Sequence, residues 1–317
     1  MIEPAPQLVT VFGGGGFIGR YVCEILLKKG HRVRVAQREP RTAHFLQPLG
    51  QVGQIGFVRA DLTRPDQVRA AVEGASAVVN LCGVFAGKVY GTHVDGARSV
   101  AEAARDCGVE AVVQISAIGA DPAAQSTYGS TKGEGEAAVR SAFPAATIIR
   151  PSVVFGPEDN LTNRLAGLSW LPAVPVIRAS CKFQPVYVRD LAQAIAKAAL
   201  DPENFGGKTF EIGGPRAMTM RELVVQVQKA AGQERDLVEM PDFASSLMSR
   251  FGFLPGAPLS RDQWLMLQRD NVPAEGMPGL EAFGIEPTPL GTVAPAWLGR
   301  FGGSRFQSRK VNMTATN

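Results

Sequence analysis

Apolar and polar positions fall into short blocks along the first half of the chain. Leu8-Val9-Thr10-Val11-Phe12 is an apolar run of strand length, and beyond the glycine cluster Gly13-Gly14-Gly15-Gly16-Phe17-Ile18-Gly19 an apolar-periodic stretch from Tyr21 to Lys29 predicts a helix. His31 to Gln37 predicts a second strand, and Ile55 to Arg59 a third that ends at Asp61-Leu62. Ser76 to Cys82 and Glu110 to Ala117 are continuous apolar runs of the kind that parallel sheets bury on both faces. Between them, Val94, Ala97, Val100, Ala101 and Ala104 recur at helical spacing within Thr92 to Cys107. A helix from Thr127 to Phe143, stopped by Pro144, leads to a sixth strand, Thr147-Ile148-Ile149-Arg150. The alternation predicts an α/β fold, a doubly wound parallel sheet of about six strands.

From Arg150-Pro151 onward the composition shifts toward Pro, Trp and Met, and only shorter elements are predicted, near Phe183 to Val188, Lys208 to Ile212 and Met218 to Ala231. The pattern divides the chain into a nucleotide-binding domain over 1–150, a smaller mixed C-terminal lobe over 151–303, and a polar, basic tail over 304–317 read as flexible. It leaves open whether Lys208 to Ile212 returns a strand to the main sheet. Leu165 to Ile177 and Phe243 to Leu259 are more apolar than surface loops usually are, and suit the core of the small lobe, a lid over a cofactor, or a docking surface. Arg250 beside Phe251 also suits a helix lying in a membrane interface.

With 317 residues, 45% of them hydrophobic, the chain can bury a substantial core. The net charge of +4 is spread along the sequence, so a pI of about 9.0 does not argue for nucleic acid. The four cysteines, Cys23, Cys82, Cys107 and Cys181, form no C-x-x-C pair, which argues for reduced thiols and against a metal site. No apolar run reaches the roughly 20 residues of a membrane-spanning helix, and no signal peptide fits before the first strand, so a cytoplasmic protein is expected.

Between a strand and a helix, glycines at 13, 16 and 19 let the backbone turn sharply, approach a pyrophosphate without Cβ interference and seat the helix on the strand. The helix then directs its free N–H groups at the phosphates. An NAD-specific site of this kind places an acidic residue at the end of the second strand, whereas Gln37 stands here and Arg38 follows. A ribose 2′-phosphate would meet a cation there, which favours NADP(H) over NAD(H), with Arg20 a second cation beside the phosphates. Tyr128 and Lys132 lie four residues apart at the start of a helix, on one face, where an ammonium favours the phenolate and lowers the tyrosine pKa. His93 reads as a packing histidine in preference to a proton relay.

These residues together resemble an extended or atypical short-chain dehydrogenase/reductase of the Rossmann type: Gly13-x-x-Gly16-x-x-Gly19, Asp61-Leu62, Ser116, Tyr128-x-x-x-Lys132 and Arg150-Pro151-Ser152. The resemblance implies that Tyr128 is the acid/base, Lys132 grips the nicotinamide ribose, Ser116 holds the substrate oxygen, and Asp61 and Leu62 line the adenine. Residues assigned to the nucleotide are therefore Gly13, Gly16, Phe17, Ile18, Gly19, Arg20, Arg38, Asp61, Leu62, Cys82, Gly83, Tyr128, Lys132, Pro151 and Ser152. Ala117 follows Ser116 where many extended members carry a second serine, and Tyr128 comes only 12 positions after Ser116, so the catalytic set can be vestigial.

Second-half motifs narrow the resemblance: Phe155-Gly156-Pro157-Glu158-Asp159, Gln184-Pro185-Val186-Tyr187-Val188-Arg189-Asp190-Leu191-Ala192, Phe210-Glu211-Ile212-Gly213-Gly214-Pro215 and Arg261-Asp262-Gln263-Trp264-x-x-Leu267-x-x-Asp270-Asn271. They are similar to the NADPH-binding Rossmann-fold accessory subunits of respiratory complex I and their bacterial relatives. That resemblance implies a tightly held NADPH with a structural or assembly role, complex I subunits as partners, and a peripheral position on the inner face of the respiratory membrane. The alternative is an active NAD(P)-dependent oxidoreductase or epimerase/dehydratase that uses Tyr128 and Lys132 on a ketone, sterol, quinone precursor or nucleotide sugar.

Overall fold

A computed structural model describes residues 6–168, 171–250 and 259–302 of the chain. Seven parallel strands form its main sheet. Six follow the predicted runs: β1 (Leu8–Phe12), β2 (Arg32–Gln37), β3 (Ile55–Arg59), β4 (Ala77–Asn80), β5 (Ala111–Ile115) and β6 (Thr147–Pro151). Short strands β7 (Val154–Phe155), β8 (Ala173–Ile177), β9 (Lys182–Phe183) and β10 (Val186–Tyr187) then lead to β11 (Thr209–Ile212), which pairs in parallel with β6 and completes the sheet. The order β11-β6-β5-β4-β1-β2-β3 reverses direction beside β1, which puts a crevice at the carboxyl ends of β1 and β4. β12 (Met218–Thr219) and β13 (Asp236–Met240) pair with β9 and β8 in the smaller C-terminal part.

Burial on both faces follows the period of two. Val9, Val11, Val33, Val35, Val79, Val113 and Ile149 point to one side, against α1 (Phe17–Lys28) and the later helix Val188–Leu200. Phe12, Ala36, Val78, Val112 and Ile148 point to the other, where α2 (Pro65–Val72), α3 (Gly96–Asp106) and α4 (Thr127–Ala142) cover them. Inward positions are therefore mostly apolar on both sides, with Thr10, Asn80, Gln114 and Thr147 the buried polar ones, which is why these runs read as continuous instead of alternating.

A third core sits beyond the sheet, around Phe155, Val174, Val176, Phe183, Leu223, Val227 and Leu298. The later helices are, in chain order, α5 (Asn160–Gly167), α6 (Val188–Leu200), the single turn α7 (Pro202–Phe205), α8 (Met220–Ala230), α9 (Asp242–Arg250) and α10 (Arg261–Met266); α6 and α7 pack on the main-sheet core, and α5 and α8 on the third. Within the apolar stretch 165–177, Ala166, Val174 and Val176 are core, while Ser169 and Trp170 lie outside the described residues. In the stretch 243–259, α9 exposes Phe243 and Leu247, and residues 251–258 lie outside the described part, as does the tail 304–317.

Candidate functional site

The curl after β1 is made of contacts that exclude side chains. Gly13 turns at φ +76°, and a Cβ on Gly19 would lie 2.3 Å from the Gly13 carbonyl oxygen. Gly16 caps α1 in extended conformation with no side-chain partner, and no acidic residue lies in the first turn. Open N–H groups and the positive end of the helix dipole therefore face the crevice, and this chemistry fits a pyrophosphate.

The curl is tied to the end of β2. Gly15 N–H donates to Gln37 Oε1 (3.1 Å), and Gln37 Nε2 donates to the Glu39 carbonyl and to Thr42 Oγ1, both at 2.8 Å. Gln37 thus braces the loop, a role the sequence did not reveal. Arg38 is exposed. Asp61 is held below the usual carboxylate range first by the Thr63 N–H (2.9 Å) and hydroxyl (2.8 Å), and further by the Arg38 charge. Arg20, on the first turn of α1, is engaged elsewhere: its guanidinium pairs with Glu158 (3.1 Å) and lies over the Phe45 ring (4.9 Å). Leu62 is buried against α3, where a Cβ on Gly96 would come 2.7 Å from its own.

At the end of β4, Cys82 N–H donates to Asn80 Oδ1 (3.1 Å), and burial pushes the Cys82 thiol up to about 11. Gly83 borders the second cluster: a Cβ there would lie 3.4 Å from Lys132 Nζ and 3.6 Å from His93 Nε2. Lys132 is buried and donates to the Ile115 carbonyl (3.0 Å), next in the chain to Ser116, while its Nζ lies 5.9 Å from the Tyr128 ring centre. Ser116 Oγ is buried with no hydrogen-bond partner. The structure therefore brings Ser116, Tyr128 and Lys132 to one end of the crevice.

The lysine does not act on the tyrosine as the sequence spacing predicts. Burial holds the Tyr128 phenol up at about 12 and brings the Lys132 ammonium down to about 8. Desolvation outweighs attraction because the ammonium is directed to the Ile115 carbonyl instead of the phenol oxygen. His93 is fully enclosed: Nε2 accepts from Val84 N–H (3.0 Å), so the proton is on Nδ1, which faces Thr131 Oγ1 at 2.9 Å. Burial, and secondarily the Lys132 charge, lowers its pKa to about 4, so it is a neutral packing residue whose ring meets Tyr128 edge-on (5.3 Å).

Two residues of the late motif close the site, and their contacts cross too much sequence to be read locally. Asp262 on α10 accepts from the N–H groups of Thr127 (2.6 Å) and Tyr128 (3.0 Å), while Ser126 Oγ accepts from Gly129 N–H (3.1 Å), so the start of α4 is fully capped. Asn271 Oδ1 lies 2.8 Å from Ser152 Oγ and accepts from Val153 N–H (3.1 Å), turning Ser152, after Pro151 of β6, toward this strap. Arg150, at the same strand end, is clamped between Glu136 (2.6 Å) and Glu211 (3.2 Å) and joins α4, β6 and β11.

A glycine curl on a doubly wound sheet, opposite a tyrosine, lysine and serine, defines a nicotinamide-dinucleotide-binding protein of the short-chain class. Residues 9–213 match the NAD dependent epimerase/dehydratase family, and the chain belongs to it. Along 320 aligned residues it is 33% identical to the mitochondrial NADH dehydrogenase (ubiquinone) 1 alpha subcomplex subunit 9 of Mus musculus, covering 97% of this chain and 84% of that protein. It is 30% identical over 207 residues to the ceramide reductase of Caulobacter vibrioides, covering 64% of each chain. An NADPH-dependent quinone oxidoreductase of Escherichia coli, solved with NADPH, shares the fold at a TM-score of 0.74 and 19% identity, over 91% of this chain and 99% of its own. Family, fold and the likeness to complex I subunits agree with the reading of the sequence.

Proposed function

We propose that this protein holds NADP(H) and serves as an accessory or assembly component of a respiratory NADH:quinone oxidoreductase, on the inner face of the respiratory membrane. The observation that carries this is a likeness spanning 97% of the chain, second half included, to a protein named as a subunit of NADH dehydrogenase (ubiquinone). Gly13, Gly16, Phe17, Ile18 and Gly19 would hold the pyrophosphate, Asp61, Leu62, Cys82 and Gly83 the adenosine side, and Lys132, Pro151 and Ser152 the nicotinamide side. Gln37 offers no repelling carboxylate to a 2′-phosphate and Arg38 offers a cation, which supports NADP(H). A ligand held at a thousand times its dissociation constant adds about 4 kcal/mol to the folded state, enough to make the nucleotide a structural part. No helix among the described residues is long and apolar enough to cross a membrane.

The test is purification of the protein from native membranes in mild detergent. Comigration with the oxidoreductase, and NADP(H) released on denaturation and identified by mass spectrometry, is the expected result. Absence from every respiratory assembly in cells that express the protein overturns the reading.

One observation favours a second reading, an active oxidoreductase or epimerase/dehydratase. Ser116 Oγ is a buried hydroxyl with no partner, beside Lys132, where a substrate oxygen would satisfy it. A bound nicotinamide supplies the hydride in such chemistry. Tyr128 would hold or release the proton at its hydroxyl oxygen, and Lys132 would orient the ribose. Tyr128→Phe separates the two: an enzyme loses turnover and keeps nucleotide, whereas an accessory subunit assembles as before.

A further inference from the structure

The loop after β4 has a firm base and a loose tip. Its base is held by Cys82 N–H on Asn80 and by Val84 N–H on His93 Nε2. Beyond it, the next backbone hydrogen bond is from Val89 N–H to the Gly87 carbonyl, and Gly87 turns at φ +81°. At the tip, Phe85 stacks on Tyr128 with ring centres 4.5 Å apart and planes 12° from parallel, yet 64% of the residue faces solvent. A large aromatic residue left this exposed while one face covers a tyrosine contributes nothing to a core. The Tyr128 ring also meets His93 edge-on, so Phe85 takes up its stacking face.

We infer that Phe85 is the specificity gate of the site: it occupies a ring slot on Tyr128 that only a ligand with a flat conjugated ring of its own can take over. Swinging Phe85 out costs one aromatic stack, and a planar ring restores it, while a flexible aliphatic chain does not. With the gate closed, the same residues hold a nucleotide and turn nothing over. The inference deepens the second reading above, since it names the substrate class of Tyr128, and it also accounts for a quiet accessory protein.

The experiment uses the full chain, free of turnover. Binding of 2-naphthaldehyde and of hexanal is compared by saturation-transfer NMR in the wild type, Phe85→Ala and Phe85→Tyr. The ionisation of Tyr128 is followed by ultraviolet difference absorbance against Tyr128→Phe. The wild type and Phe85→Tyr should prefer the naphthyl ring on the order of tenfold, the worth of a good aromatic pair, and Phe85→Ala, whose slot on Tyr128 stands open, should keep that preference while binding both aldehydes on the order of tenfold more tightly. In Phe85→Ala the Tyr128 midpoint should fall from about 12 toward the ordinary phenol value of 10, with NADPH affinity unchanged. Equal binding of both aldehydes by the wild type, binding of neither, or a Tyr128 midpoint indifferent to Phe85→Ala overturns the gate. Failure to bind NADPH in any variant would instead sink the nucleotide reading and leave these measurements legible.

Discussion

Replacing Gly19 by alanine probes the phosphate curl most directly. The added Cβ would stand 2.3 Å from the Gly13 carbonyl oxygen, 2.6 Å from the Gly14 Cα and 2.8 Å from the Gly14 carbonyl carbon, all backbone atoms that no rotamer change can move. Favourable contacts between such atoms begin near about 3.5 Å, so loop and helix must part by roughly 1 Å. Alanine is the better helix former by about 1 kcal/mol. Overpacking costs about 1–3 kcal/mol, and a clash of backbone on Cβ lies at the top of that range, which leaves a net loss of about 2 kcal/mol. The same displacement misaims the N–H groups at the start of α1. Losing one charge-assisted hydrogen bond, about 1.5–3 kcal/mol, weakens NADPH at least about tenfold. Urea unfolding with and without NADPH, and calorimetric titration, read both effects. Gly291→Ala is the control, because a Cβ there meets nothing within 4 Å, and its stability should hold or rise by up to about 1 kcal/mol. A Gly19→Ala protein that unfolds with the wild type and binds NADPH equally well would refute the reasoning.

Further outcomes are expected elsewhere in the site. Arg38→Glu should weaken NADPH by about tenfold or more while sparing NADH, because a carboxylate would then face the 2′-phosphate, and paired titrations of the two nucleotides check it. Asp262→Ala leaves two N–H groups at the start of α4 without an acceptor, and should lower stability by about 1–2 kcal/mol in urea unfolding, with Asp262→Asn recovering part of the loss. His93, at about 4 in the folded protein against 6.5 ordinarily, stays neutral while the unfolded chain takes up a proton. Its contribution is complete above pH 6.5 and is lost as pH falls toward about 4, at up to about 1.4 kcal/mol per unit, so His93→Gln should flatten the acid limb of the stability profile.

Much of the sheet was readable because its signals are local. Val78 and Val79 face opposite helix layers and are both apolar, so a four-residue strand is conspicuous in any window. The glycine curl is equally local in its spacing, and the contacts that exclude a Cβ at Gly16 and Gly19 stay within the curl. The membership of β11 was not legible, because Thr209 to Ile212 pairs with Ile148 to Pro151, and no short-range pattern says which edge a late strand joins. Asp262 was quoted as part of a motif without a role, for its hydrogen bonds reach back to Thr127 and Tyr128 across more than a hundred residues. Phe85 carried no signal at all, being a lone aromatic in a glycine-bounded loop. The Tyr128 and Lys132 pair was found by spacing, but the direction of the phenol's shift was missed, because spacing reports proximity and not where the ammonium aims or how dry its surroundings are.

The strap from Asp262 to Asn271 sets the order in which the molecule can mature. A ribosome that has released residues 9–213, the segment matching the family, has delivered every strand of the main sheet, yet Thr127, Tyr128 and Ser152 still await partners not yet synthesised. The nascent sheet can close early, but the tyrosine end of the crevice is completed only when the strap emerges. Translational pauses or truncations before that point should therefore yield a folded sheet whose nucleotide grip is half built.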